Sequence, residues 1–254
     1  MPSVLALFAH PDDIEFVAAG TLLLLNDLGW QIHYCNLANG CCGSKDTDRQ
    51  QTAAIRLTES QNAAKLLNAT FYPPICDDLN IFYNAENLAK VASVVRLSKP
   101  SVVLTHAPVD YMEDHMETCR LAVTAAFVKG IPNFASNPSY PSFDGDVAIY
   151  HAQPHGNCSP LGEVVYPKLA VPIDSVIDRK LAMLDCHKSQ QKWLQSTQKM
   201  NSYLTAMLEL GKEAARLSKL NCMYAEGWHK HLYLGFGAQD FDPLAELFVR
   251  QRTG

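Results

Sequence analysis

Short apolar runs alternate with longer segments of helical periodicity over the first 130 residues of the chain. Continuous apolar residues at 4–9 and 101–105 are typical of strands that are buried on both faces of a sheet. Between the strands, small and apolar side chains recur at helical spacing, as they do at Ala53, Leu57 and Ala64. This alternation predicts an α/β fold with a mostly parallel, Rossmann-like sheet that carries helices on both faces.

The elements predicted from this pattern extend over most of the chain. The predicted strands span 4–9, 31–37, 69–72, 101–105, 147–151, 168–173 and 231–236. The predicted helices span 13–28, 53–67, 85–98, 115–129, 175–190 and 200–220. The order contains no internal repeat, so it does not indicate a solenoid or another repeat architecture.

The segment 131–160 differs in composition from the rest of the chain. It is rich in Pro, Ser, Asn and Gly, which is typical of long active-site loops. We therefore predict a single domain over residues 1–254. Residues 1–130 form its Rossmann-like core, and the loop-rich residues 131–254 complete the active site.

The composition excludes several classes of protein. With 254 residues, 48% of them hydrophobic, the chain can build a core without disulfides or metal, which excludes disordered and collagen-like classes. The net charge of −5 and the scattered basic residues argue against nucleic acid as a partner. The longest apolar run, at 16–25, is about half of a membrane span, so we predict no membrane insertion.

The cysteines bear on the cellular compartment. There are eight, and no two have the C-x-x-C spacing of a redox or zinc motif. The N-terminal residues lack the basic and apolar regions of a signal peptide. We therefore predict free thiols in a cytoplasmic protein.

The strongest local signal is the sequence Ala9-His10-Pro11-Asp12-Asp13, directly after the first predicted strand. In an open α/β sheet, ligands bind beyond the carboxyl ends of the strands, where this motif lies. One imidazole and two carboxylates can supply two metal ligands and leave a spare carboxylate beside the metal. The spacing alone does not decide which aspartate is the ligand, and either could instead cap the following helix.

A second signal follows the predicted strand at 101–105. The segment Asp110-Tyr-Met-Glu-Asp114-His115 lies at the start of a predicted helix. A third ligand from this separate strand end would complete a His-Asp-His set and leave a coordination position for water, as in catalytic zinc sites. His115 by itself could equally be a surface or capping residue, so its weight comes from the first motif.

Together these motifs resemble the LmbE-like or PIG-L family of zinc-dependent N-acetylglucosaminyl deacetylases. The resemblance extends to Asn39-Gly-Cys-Cys-Gly, to Arg56-x-x-Glu59 with Ala63-Ala64-x-Leu66, and to His187-x-Ser189-Gln190. These features occur in the family's order over 9–190. The resemblance therefore covers most of the chain, and the first motif is its most specific part.

The resemblance implies a role for each matching residue. His10, Asp13 and His115 would hold Zn²⁺, or another divalent metal such as Fe²⁺, and Asp12 would stay uncoordinated as the general base. Arg56 matches an arginine that helps to hold the polar substrate, although a solvated helix position is the alternative. His187 would line the pocket and bind substrate, or would cap a neighbouring element.

One departure from the family concerns the charge that develops on the substrate oxygen. The family commonly has His-Pro-Asp-His where this chain has Met112-Glu-Asp-His115, and methionine has no proton to donate. Tyr111 or His155 would have to replace the missing histidine. His155 is preferred because a histidine between Pro and Gly in a long polar loop has few structural reasons to be there.

The leading hypothesis is a metal-dependent hydrolase that deacetylates an N-acetylglucosamine-type sugar or its conjugate. Hydrolysis of another amide, such as a thiol-sugar conjugate or an acylated natural product, is the alternative within the same class. A non-catalytic metal-binding or ligand-binding relative is the alternative in a different class. The resemblance also implies a homo-oligomer, a trimer or hexamer.

Overall fold

The computed structural model describes residues 1–197 and 203–248. Within these residues the strands are β1 (Ser3–Phe8), β2 (Gln31–Asn36), β3 (Thr70–Tyr72), β4 (Val102–Thr105), β5 (Ala148–Ala152), β6 (Leu169–Pro172) and β7 (Ala225–Lys230). They form one sheet in the order β3-β2-β1-β4-β5-β7-β6. Strands β1 to β5 pair in parallel, and β7 is antiparallel to both β5 and β6. The predicted mostly parallel α/β sheet is confirmed.

The described residues also form helices that connect and cover these strands. They are α1 (Asp13–Val17), α2 (Ala19–Asp27), α3 (Arg49–Leu66), α4 (Ala85–Ser98), α5 (Glu113–Phe127), α6 (Ile177–Leu184), α7 (Lys188–Thr197), α8 (Tyr203–Leu217) and α9 (Pro243–Phe248). No helix in the described residues is both long and apolar enough to cross a membrane.

The core lies on both faces of the sheet because successive side chains of a strand point in opposite directions. On β1, Val4 and Phe8 pack into the cluster that contains α1 and α2 residues. Leu5 and Leu7 point the other way, into the cluster that contains α4 and α5 residues. All side chains of β1 are buried, so it is the central strand that the continuous apolar run predicts.

The prediction of one helix over 13–28 is wrong, because the segment forms two helices, α1 and α2. The backbone leaves helical geometry at Ala18, where φ is −133°. The buried Glu226 carboxylate accepts the N–H groups of Gly20 and Thr21, each at 2.7 Å, and so caps a new helix start. A Cβ atom at Gly20 would lie 2.6 Å from Ile173 Cγ2, which explains the glycine there.

Two further boundaries were wrong in the C-terminal third. The strand predicted over 231–236 lies at β7, before that segment, and the side chains of Leu232 and Leu234 are mostly exposed. Leu232 and Leu234 alternate with other residues in the pattern that a strand would have. The true strand, β7, contains Gly227, and a glycine inside a strand weakens its sequence signal. The helix predicted over 175–190 stops at Leu184 and a separate helix begins at Lys188. Part of the helix predicted over 200–220 lies outside the described residues.

All eight cysteines lie in the part of the chain that the structure describes, and none of them forms a disulfide. The sulfur atoms of Cys41 and Cys42 are 4.0 Å apart, which is twice the length of a disulfide bond. The prediction of free thiols is therefore confirmed.

Candidate active site

The two sequence motifs meet at the carboxyl edge of the sheet. The first follows β1 and the second follows β4, and these strands are neighbours although β2 and β3 lie between them in the chain. The strand order reverses at this pair, which is where open α/β sheets bind their ligands. A cavity of about 240 Å³ opens here, and both His10 and His115 line it.

Three donor groups in this cavity are close enough to hold one metal ion. Ligand atoms of His10, Asp13 and His115 all lie within 4.8 Å of one another. Asp13 is central: its Oδ2 is 3.3 Å from His10 Nδ1 and its Oδ1 is 3.5 Å from His115 Nε2. Two imidazoles and one carboxylate are the donor set of many catalytic zinc sites.

The nitrogen atom that each histidine turns away from this cluster contacts a carboxylate. Asp114 Oδ2 lies 2.9 Å from His10 Nε2, and Asp110 Oδ1 lies 3.1 Å from His115 Nδ1. A carboxylate on the remote nitrogen is the usual support of a metal-binding histidine, because it fixes the tautomer and the ring orientation. The residues present therefore fit a metal ion.

These carboxylates also set the charge of the two imidazoles. Burial by itself lowers the pKa of His10, but its bonds to Asp114 and Asp13 outweigh this effect and raise the pKa to about 9. In the same way, Asp13 and Asp110 overcome the burial of His115 and raise its pKa to about 10. A metal ion must displace both protons, so its binding is expected to tighten as the pH rises.

We expect Asp114→Asn to weaken the metal site without removing a ligand. The amide cannot stabilise the His10 imidazole as a carboxylate does, and such changes lower metal affinity or activity by about 10- to 100-fold. Competitive titration with a metal chelator measures the affinity. Exposed Asp46→Asn is the matched control. Equal affinities of the Asp114 variant and the wild type would contradict this role.

His106 is a cavity residue that the sequence reasoning missed. Its ring stacks on that of His115, with centroids 3.9 Å apart and planes at 10°. The Ala9 N–H donates to His106 Nε2 at 2.9 Å, so this nitrogen is not available to a metal. His106, Asp110 and His115 form another close group of donors, but the bond from Ala9 favours the cluster at Asp13. The only available signal was the position of His106 directly after a predicted strand.

Asp12 lies beside the metal cluster in an unusual backbone conformation. Its φ of 105° is rare for any residue but glycine, and it turns the chain into α1. The Tyr203 hydroxyl donates to Asp12 Oδ2, and Arg56 Nη2 lies 3.4 Å from Oδ1. Burial raises the pKa of Asp12, whereas the neighbouring histidines hold the pKa of Asp13 well below its usual range despite its burial. The two adjacent aspartates therefore have pKa values that are shifted in opposite directions by their surroundings.

Arg56 is a buried residue that fixes this turn. Its guanidinium donates to the Pro11 carbonyl, and it packs against Gly40 and Gly43. A Cβ atom at Gly40 would lie 2.5 Å from Arg56 Cδ, and Gly40 has a φ of +76°, so glycine is required. The glycines of the motif therefore leave room for the arginine. Arg56 lines the cavity, but its bonds point to Pro11 and Asp12.

Tyr203 was also missed, because it lies 191 residues after Asp12 in the chain. It is buried at the start of α8, and its ring packs edge-on against Phe16 with centroids 5.0 Å apart. No motif surrounds it, so only the packing of the C-terminal part could reveal its contact with Asp12. We regard Tyr203 as a positioning residue for this carboxylate.

We expect Tyr203→Phe to lower kcat by about tenfold and to leave KM nearly unchanged. A hydrogen bond to a charged group is worth about 1.5–3 kcal/mol, and the loss should affect the orientation of Asp12 rather than substrate binding. Steady-state kinetics measures this split. Tyr34→Phe, which removes another buried hydroxyl from a carboxylate, Glu15, is the control for a general loss of stability. A parallel change in KM would contradict the positioning role.

The structure separates the remaining residues considered from the sequence. Tyr111, Met112 and His155 line the cavity, and the rings of Tyr111 and His155 are 5.3 Å apart. His187 does not line it: this side chain is fully buried, with Nε2 3.2 Å from a Glu15 carboxylate oxygen. The prediction that His187 contacts the substrate is therefore not supported by its position. Its contact with Glu15 of α1 agrees with the alternative that it supports a neighbouring element.

The match to a known family covers this part of the chain. Residues 5–127 match the profile of the family described as PIG-L: GlcNAc-PI de-N-acetylase. Over these residues, just under half of its length, the chain is similar to the PIG-L family. The matched residues include His10, Asp13, His115 and Asp12, whereas His155 and Tyr203 lie beyond them.

Two deacetylases are similar to this chain over most of its length. The diacetylchitobiose deacetylase of Thermococcus kodakarensis is 26% identical over 197 residues, which are 74% of this chain and 69% of the relative. The solved N,N'-diacetylchitobiose deacetylase of Pyrococcus horikoshii shares the fold, with a TM-score of 0.76, 23% identity, and coverage of 95% of this chain and 88% of the other.

A solved structure with a different activity is similar to the chain to about the same degree. The 4-carboxy-2-hydroxymuconate hydratase of Pseudomonas putida KT2440 is 25% identical, with a TM-score of 0.73, and the match covers 91% of this chain and 96% of the hydratase. The shared fold therefore supports more than one reaction, and the argument for function must come from the site.

Proposed function

We propose that this protein is a metal-dependent amide hydrolase that removes acetyl from an N-acetylglucosamine-type sugar or its conjugate. The observation that carries the proposal is the His10-Asp13-His115 cluster with the uncoordinated carboxylate of Asp12 in the same cavity. The family description and the name of the Thermococcus relative support the acetylated amino sugar as substrate class.

Zn²⁺ is the cofactor that we propose, and Fe²⁺ is the alternative that the same donor set accepts. When bound, such an ion lowers the pKa of water and polarises the amide carbonyl. His10, Asp13 and His115 hold it, and the carboxylates of Asp110 and Asp114 keep the two imidazoles in place.

Asp12 carries the proton through the reaction. Its carboxylate removes a proton from the attacking water and, once protonated, gives it to the nitrogen as the C–N bond breaks. The products are acetate and a free amine. Tyr203 and Arg56 hold the two oxygen atoms of Asp12 and restrict its rotation. The raised pKa of Asp12 makes it a stronger base than an ordinary aspartate.

The negative charge that develops on the carbonyl oxygen needs a donor besides the metal site. We propose His155, which lines the cavity and contacts Phe16 and Tyr111 through its ring. Burial lowers the pKa of His155, so the ring is neutral near pH 7 and still has one N–H to donate. Burial also raises the pKa of Tyr111, so its phenol keeps its proton and is the second candidate.

We expect His155→Gln to lower kcat by about 100-fold, the effect of losing one donor to a developing oxyanion. Tyr111→Phe is expected to have a smaller effect, since the ring of Tyr111 lies edge-on to His115. Parallel measurements of kcat for the two variants decide between them. A larger loss for the Tyr111 variant would reverse the assignment.

The deciding experiment is an assay of the metal-loaded protein. Acetate and free amine are measured together with N-acetylglucosamine, diacetylchitobiose and N-acetylglucosaminyl glycosides, and with a panel of unrelated amides. We expect equal amounts of acetate and amine, with the amino sugars as the best substrates. If another amide is turned over faster, the bond class stands and the substrate is corrected. No turnover of any amide would refute the proposal.

The similarity to the hydratase supports a second candidate, the addition of water to a carbon–carbon double bond of a carboxylated substrate. Asp12 would again take a proton from water, and the proton would pass to carbon instead of nitrogen. Loss of ultraviolet absorption by a conjugated hydroxymuconate-type acid, without acetate release, would establish this reaction.

We also propose that the protein is a cytoplasmic homo-oligomer, a trimer or hexamer. Leu79 and Val109 are more than half exposed, and each is next in the chain to a cavity residue, Asp78 or Asp110; exposed apolar side chains of this kind are typical of a contact surface. Analytical ultracentrifugation of the purified protein measures the assembly, and a monomer at micromolar concentration would refute it.

A further inference from the structure

A second group of possible metal ligands lies in the wall of the same cavity. Cys41, Cys42 and Asp78 place two sulfur atoms and a carboxylate oxygen within 4.8 Å of one another. Cys42 and Asp78 line the cavity, and none of the three belongs to the cluster around Asp13. The proposed hydrolysis leaves all three side chains without a role.

The spacing of the sulfur atoms suits a shared metal ion better than a disulfide. With Zn–S bonds of about 2.3 Å and tetrahedral angles, two thiolates on one ion lie about 3.8 Å apart. The observed distance between Cys41 Sγ and Cys42 Sγ is 4.0 Å. Consecutive Cα atoms are only about 3.8 Å apart, which is below the range of about 4.4–6.8 Å that disulfides span. Oxidation to a disulfide would therefore distort the loop, whereas metal binding would not.

The surrounding contacts hold this group in place. Asp78 accepts the N–H of Gly40 at 2.7 Å on one oxygen and the N–H of Cys42 at 2.8 Å on the other. Each oxygen keeps a second lone pair for an ion. The Arg49 guanidinium also contacts the group, with Nη1 3.2 Å from Cys42 Sγ.

We propose that Cys41, Cys42 and Asp78 form a second metal site, which takes a thiophilic divalent cation such as Zn²⁺ or Cd²⁺. Binding releases the two thiol protons, forms two metal–thiolate bonds and one bond to the carboxylate, and leaves the fourth position open towards the cavity. An ion at this position narrows the space beside Arg56 and Gly43. Excess metal therefore inhibits the enzyme, and this last consequence rests on the proposed function.

Cobalt binding tests the site without reference to activity. Reduced protein is titrated with Co²⁺, and the near-ultraviolet charge-transfer absorption of cobalt–thiolate bonds is recorded. We expect this absorption in the wild type and in His115→Ala, which lacks only the other site. We expect it to disappear in Cys42→Ser and in the Cys41→Ser/Cys42→Ser double variant, and to persist in Cys222→Ser, a cysteine outside the cavity. Cys42 is exposed, so its serine variant should fold normally.

The absence of this absorption in the wild type, or its persistence in the double variant, would overturn the proposal. A separate measurement addresses inhibition of acetate release by excess Zn²⁺. The concentration for half inhibition should rise in Cys42→Ser by at least about tenfold, since the loss of even an outer-shell partner has that effect. If the protein releases no acetate, the proposed function fails while the cobalt measurement still decides on the site.

Discussion

Replacing Asp12 by asparagine is expected to lower kcat by about 10²- to 10⁴-fold, which is the usual contribution of a general acid–base group. The amide cannot accept a proton from water, although it has nearly the shape of the carboxylate. Asparagine also tolerates the positive φ of this position better than alanine, so the turn before α1 should survive. Rates of acetate release measure the effect.

Metal content distinguishes this result from damage to the neighbouring ligand. The Asp12→Asn variant should retain the same amount of metal as the wild type, because Asp13 and not Asp12 belongs to the cluster. Asp46→Asn, at an exposed position, is the control and should have full activity. An Asp12 variant with full hydrolytic activity would show that the mechanism is wrong.

Replacing His115 by alanine is expected to abolish activity together with metal binding at the His10-Asp13-His115 cluster, while the group of Cys41, Cys42 and Asp78 stays intact. Only His10 and Asp13 would remain as ligands, and a catalytic zinc site needs three from the protein. The metal content of the variant after dialysis, compared with that of the wild type, measures the loss of metal from this cluster. His115→Gln fills similar space and serves as a second variant, so a folding defect of the alanine variant does not obscure the result.

His33→Ala is the matched control for the His115 variants. His33 is a partly buried histidine on β2 that contacts Tyr72 at 3.0 Å and does not line the cavity. Its variant should keep both metal and activity. A His115 variant that retains a full equivalent of tightly bound metal, in a form that activates hydrolysis, would exclude His115 as a ligand.

The sequence was most informative where function depends on local order. Continuous apolar runs mark the buried parallel strands, and a histidine and two aspartates directly after such a strand must lie at the carboxyl edge of the sheet. His115 comes after β4, which is the neighbour of β1 in the sheet, so it lies at the same edge. The approximate position of the metal cluster therefore follows from chain order and the geometry of parallel sheets.

Roles that depend on burial and orientation could not be derived in this way. The two aspartates of the first motif are adjacent and chemically identical, so the sequence cannot distinguish them. Only the folded chain places Asp13 next to imidazoles and Asp12 next to Tyr203 and Arg56. The sequence context of His187 left two alternatives open, a pocket residue that binds substrate or a cap on a neighbouring element. The structure buries it against Glu15.

The pattern and order of residues along the chain indicate the α/β class, the resemblance to the PIG-L family, and the candidate residues for metal binding and proton transfer. The tertiary structure decided which atoms of those residues face the cavity and which distant groups support them. Tyr203 shows the reason most clearly: it approaches Asp12, 191 residues earlier in the chain, only because α8 packs back against the core. Periodicity records the face that an element buries, but a contact between two elements depends on how they pack in space.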